Sequence, residues 1–88
     1  MKIKEGFVVK ELAGQYVVVA LGAASKIFNG IIKLNDSAKF IWDKLTLGAE
    51  KEDVVNALLE EYEGVDRVTA ENDFDKFVEQ LKGANILE

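Results

Sequence analysis

The chain has 88 residues, 49% of them hydrophobic, which suits one compact domain and no more. It contains neither Cys nor His, so disulfides, the usual soft-metal ligands and nucleophiles of the Cys–His or Ser–His–Asp kind are excluded. A formal net charge of −5 has the wrong sign for a domain that would hold duplex DNA by neutralising its phosphates.

At the N-terminus, Met1-Lys2-Ile3-Lys4-Glu5 lacks the apolar core of a signal segment. No later apolar run approaches the roughly 20 residues that span a bilayer. A soluble, cytoplasmic domain over residues 1–88, with no membrane partner, is expected. Phe7 to Leu12 reads as a first strand, closed by Ala13-Gly14-Gln15, where the glycine suits a tight turn. Tyr16 to Leu21 is apolar at nearly every position, as in a strand central to its sheet. Gly22 to Ser25 connects it to a third strand, Ile27 to Leu34. Alternation there places Phe28, Gly30, Ile32 and Leu34 on one face, the better core candidate, and Ile27, Asn29, Ile31 and Lys33 on the other. Gly30 in mid-strand marks a bulge or the close approach of another backbone. A meander leaves the first and third strands as edges, and the third carries charged guards only at its ends, Lys26 and Lys33.

From Asn35 the period changes to that of helices. Asn35 suits the N-cap of a first helix, with Asp36 favoured in its first turn and Ala38, Ile41, Trp42 and Leu45 as its apolar stripe. Gly48 ends it. A second helix opens on Glu50-Lys51-Glu52-Asp53, shows Val54, Val55, Leu58, Leu59 and Tyr62 at helical spacing, and stops at Gly64. Thr69 is the expected N-cap of a third, whose apolar face is Ala70, Phe74, Phe77, Val78 and Leu81. Ile86 and Leu87 offer a last apolar contact. The order is βββααα: an α+β, winged helix-turn-helix-like fold in which a three-stranded antiparallel sheet is followed by three helices.

Three pieces of this pattern resemble one family. Leu34-Asn35-Asp36-Ser37-Ala38 with Ile41-Trp42 is similar to the strand-to-helix signature of the PqqD-like family, named for a small protein of pyrroloquinoline quinone biosynthesis. Asp53-Val54-Val55 with Leu58-Leu59 and Tyr62 resembles its second helix, and Asp73-Phe74 with Phe77-Val78 and Leu81 its third. The resemblance implies a recognition element that captures the leader of a ribosomally synthesised precursor peptide. It would present that leader to a modifying enzyme, often a radical S-adenosylmethionine enzyme, with no catalysis and no cofactor of its own. The peptide would add as a strand to strand three, beside helix three. That docking implicates Ile27, Phe28, Asn29, Gly30, Ile31, Ile32 and Lys33 on the strand, and Asp73, Phe74, Lys76, Phe77, Gln80 and Leu81 on the helix.

The residues permit that mode, since an open edge supplies unpaired N–H and C=O groups and side-chain pockets supply specificity. Phe74 and Phe77 would form the apolar floor, with Asp73, Lys76 and Gln80 at flanking positions. Plain core roles compete: they are favoured for Phe28, Ile32, Phe74 and Trp42, and evenly balanced for Phe77. Asp73 and Asp75 do not form a catalytic pair, because helix residues two apart do not face each other. Glu60-Glu61-Tyr62-Glu63 reads as a solvated helix end. Two other functions stand beside peptide binding. A DNA-binding winged helix would need a recognition helix, but helix three sets Glu71, Asp73, Asp75 and Glu79 against Lys76 and Lys82. A scaffold or homodimerisation domain would pair the open edge with a second copy.

Overall fold

Positive backbone φ at two successive residues shapes the first hairpin. In a computed structural model, which describes residues 1–26 and 31–88, β1 (Phe7–Leu12) and β2 (Gln15–Ala20) pair antiparallel from Phe7 opposite Ala20 to Leu12 opposite Gln15. The loop is Ala13 and Gly14, at φ +52° and +79°. Two such residues make a primed turn, whose twist matches that of the strands. This two-residue loop starts β2 at Gln15, one residue before the expected Tyr16. Leu21, expected in the strand, is exposed outside it, and its N–H donates to the Gly6 carbonyl at 2.7 Å.

The expected plain connection contains a 3-10 turn, Gly22–Lys26, with Ala24 buried. It packs on Gly6, where a Cβ would lie 2.9 Å from that of Ala24 and the backbone has φ +94°. β3 (Ile32–Leu34) pairs antiparallel with β2, Val18 opposite Ile32 and Tyr16 opposite Leu34, giving the sheet order β1-β2-β3. Ile27, Phe28, Asn29 and Gly30, the first half of the expected third strand, lie outside the described residues.

Period-two alternation divides the sheet. Phe7, Val18, Ile32 and Leu34 join the core, with Val9, Tyr16 and Ala20 packed at its margin. Val8 and Leu12 are exposed on the opposite face. Val17 points there too, yet is only 9% exposed; its cross-strand neighbours are Lys10 and Lys33, residues whose aliphatic stems cover apolar surface.

The helices cover the core face. In α1 (Asp36–Thr46) the Asn35 side chain accepts from the Ala38 N–H at 2.8 Å, the expected cap, and Ile41, Trp42 and Leu45 are buried. Gly48, at φ +84°, follows its end. In α2 (Lys51–Glu61) the Asp53 carboxylate accepts from the Glu50 N–H at 3.4 Å, and Val54, Val55 and Leu58 are buried. α3 (Arg67–Gly83) corrects one expectation: its N-cap is Asp66, not Thr69. The Asp66 carboxylate accepts from the Thr69 N–H at 2.8 Å. A carboxylate at this end satisfies an orphan donor and also opposes the positive pole of the helix dipole, so the helix starts a turn earlier. Hydrogen bonds from Thr69, backbone first and side chain second, outweigh desolvation and hold the Asp66 carboxyl below its ordinary 3.8.

Ala70, Phe74, Phe77, Val78 and Leu81 are buried along α3 as the spacing predicts. The tail closes the core: Ile86 is fully buried and Leu87 bridges to Ile3. The architecture is the α+β order βββααα. Among the described residues no helix is long and apolar enough to cross a membrane.

Candidate functional site

β3 is an edge strand, and its outward backbone groups follow from the hairpin. In an antiparallel ladder, residue pairs alternate between bonded and non-bonded. The two-residue turn makes Leu12 and Gln15 a bonded pair. Counting along β2, the backbone groups of Tyr16 and Val18 then face β3, where they meet Leu34 and Ile32. By the same alternation the backbone groups of Lys33 point away from the sheet, and Ile31, the residue just before β3, is in register to do the same. Ile31 is also 78% exposed.

Beside this edge lies a groove of about 260 Å³. β3 contributes Lys33 to it. The start of α1 contributes Asn35, Ser37, Ala38 and, a turn further, Ile41. α3 contributes Asp73, Lys76, Phe77 and Gln80, the i, i+3, i+4, i+7 positions of one helix face. Ala38, Ile41 and Phe77 form the apolar part. The Asn35 side chain is fixed by its capping bond and by the Ser37 hydroxyl, which donates to it at 3.0 Å.

Five residues singled out in the sequence therefore meet here: Lys33, Asp73, Lys76, Phe77 and Gln80. Phe74, 1% exposed, and Leu81, fully buried, belong to the core behind the groove, and Ile32 is buried under the sheet. Ile31 sits at the start of the edge, while Ile27, Phe28, Asn29 and Gly30 are outside the described residues. Sequence reasoning had not assigned Asn35, Ser37, Ala38 and Ile41 to a site, because helix capping and core packing already accounted for them. The available signal was their position directly after an edge strand.

A second hollow lies against the outer side of α1, lined by Tyr16, Asp36, Lys39, Phe40, Asp43 and Tyr62. Its own cation occupies it: the Lys39 ammonium lies 5.5 Å from the centre of the Tyr16 ring and 2.6 Å from Asp43. Phe40 and Tyr62 meet edge to face at 5.8 Å. Desolvation first, then the charges of Asp36 and Glu61, raise the Tyr62 phenol above its ordinary 10.0. The first groove, whose charged groups form no ion pair among the described residues, is the better candidate.

The family model for coenzyme PQQ synthesis protein D (PqqD) matches residues 15–87, from β2 to the tail. The chain belongs to the PqqD family. Two solved structures share the fold of this PqqD-family chain along nearly its whole length. One is TbiB1 in complex with the TbiA(beta) leader peptide: it is 30% identical, with a TM-score of 0.76, covering 100% of this chain and 95% of that one. The other is lasso peptide synthetase B1 complexed with the leader peptide, 27% identical, with a TM-score of 0.73, covering 97% of this chain and 93% of that one. No curated protein matches the chain.

Proposed function

We propose that this PqqD-family protein is a non-catalytic module that binds the leader of a ribosomally synthesised precursor peptide. The leader adds as an antiparallel strand to the outer edge of β3, within the groove beside α3, and is thereby presented to a modifying enzyme in the cytoplasm. A radical S-adenosylmethionine enzyme is the first partner to test. The observation that carries this reading is a groove walled by a free strand edge and one face of α3, in a chain whose two solved relatives are both leader-peptide complexes. The outward N–H and C=O groups of Ile31 and Lys33 give a peptide main-chain partners. Phe77, Ala38 and Ile41 take an apolar side chain, and the polar rim adds selectivity. With no Cys or His in the sequence, binding and presentation are the work proposed for the domain.

The test is an amide chemical-shift titration with a leader segment from a neighbouring precursor gene. Shifts concentrated at 31–33 and 73–81 are expected. No shifts at high peptide excess, or shifts centred on α2, would overturn the proposed docking. Duplex DNA in a parallel titration should leave the spectrum unchanged, because α3 sets Glu71, Asp73, Asp75 and Glu79 against few cations.

A further inference from the structure

The groove is a local exception in an acidic molecule. Against a chain charge of −5, its lining holds two lysines and a single carboxylate, Asp73. Lys33 stands on the β3 wall and Lys76 on the α3 wall. Neither takes part in an ion pair or side-chain hydrogen bond among the described residues, and Asp73 does not close on Lys76 although it lies three residues away on the same helix. Other lysines do find carboxylates: Lys39 meets Asp43 at 2.6 Å and Lys51 meets Asp75 at 3.0 Å. The first turn of α1 also opens on the groove through Asn35, Ser37 and Ala38, bringing the positive pole of that helix. Asp36, the acid of that turn, lines other hollows instead.

From this arrangement we infer that the groove selects an acidic peptide segment, with Lys33 and Lys76 as the residues that read its carboxylates. The inference rests on the peptide-binding reading and adds the chemistry of the peptide. In an added strand, alternate side chains face the same way, roughly 7 Å apart. One apolar side chain can therefore enter between Ala38, Ile41 and Phe77 while a residue two away reaches Lys76 on the α3 wall and an adjacent residue, turned to the open face of the sheet, passes Lys33. Carboxylates at those positions meet lysines that have no ion-pair partner among the described residues. Both lysines are exposed, so each contact is worth about two- to fivefold in Kd and weakens with added salt.

The experiment uses a phage-displayed library of random twelve-residue peptides, selected on the immobilised chain. Amide shifts of the labelled chain locate each selected peptide. Asp or Glu should be enriched two residues from an apolar anchor, toward Lys76, and next to the anchor, toward Lys33. In synthetic copies, each Glu→Gln change should weaken binding about two- to fivefold. Lys33→Gln and Lys76→Gln should each abolish one of those differences, and Lys76→Glu should turn the preference at its position toward Lys. Peptides that seat in the groove with no preference for Glu over Gln would overturn the charge selection and leave the peptide-binding reading standing. A library yielding no groove-seated peptide would overturn both.

Discussion

The two edges of the sheet offer the same backbone chemistry in different surroundings. β1 lies at one edge, paired with β2 along six residues, with Val8, Lys10 and Leu12 directed to the face that no helix covers. β3 lies at the other and runs through Leu34-Asn35 directly into α1, so the start of α1 and one face of α3 stand beside it. Any free edge can supply hydrogen bonds to an added strand. Only a strand with a second wall can also sort the side chains of that strand. The contrast teaches that selectivity at β3 comes from what the fold packs next to it, and that Lys10 in the middle of β1 is a guard suited to an edge without a wall.

The largest expected effects come from the wall itself. Phe74→Ala should cost about 3–5 kcal/mol of stability, read by urea denaturation, because it empties a fully packed site in the core. The affinity of the protein that remains folded should hardly change, since Phe74 does not line the groove. Phe77, 6% exposed, borders both core and groove. Its Ala variant should lose stability and also folded-state affinity for the leader, whereas Glu61→Ala should lose neither. Equal affinity losses for the two phenylalanine variants would show that α3 acts as a packed body rather than through a distinct groove face.

A proline at each edge tests the contrast directly. Ile31→Pro removes an N–H that points outward from the β3 edge and should weaken leader binding by about two- to tenfold, the worth of one hydrogen bond. By the same alternation the Glu11 N–H points outward from β1, so Glu11→Pro also spares the internal ladder. Its leader affinity should match that of the unaltered chain in the same titration. If Glu11→Pro weakened binding and Ile31→Pro did not, the docking edge would be β1.

Much of this was legible because periodicity reports faces. Alternation separated Ile32 and Leu34 from Ile31 and Lys33, and helical spacing brought Ala70, Phe74, Phe77, Val78 and Leu81 to one buried side. The same reasoning could not tell Phe74 from Phe77 as groove floor: both fit the stripe, and only the packing of α1 against α3 leaves one of them at the surface of the groove. Thr69 looked like a cap because it is a good capping residue. Asp66 displaced it because a charged acceptor lies three residues upstream, the spacing a cap requires. The 3-10 turn at Gly22–Lys26 had no local signature, since it depends on Ala24 meeting Gly6 far upstream in the chain.

The smallest effect separates the existence of α3 from the geometry of its groove face. Asp66 caps α3 seven residues before Asp73, the first groove residue on that helix, so fraying of the first turn should not reach the groove. Asp66→Ala should lower stability near neutral pH and leave leader affinity unchanged. The pH dependence has a defined sign. Because the folded-state carboxyl is held below 3.8, its ionised form favours the folded chain. That contribution is complete above the ordinary carboxylate value and is lost as pH falls through the lower folded value. The stability difference between the unaltered chain and Asp66→Ala should therefore narrow on acidification, measured by urea denaturation at stepped pH. A difference that stayed constant into strong acid would mean that the cap acts through packing rather than charge. A fall in leader affinity at neutral pH would mean that the groove wall depends on the whole length of α3.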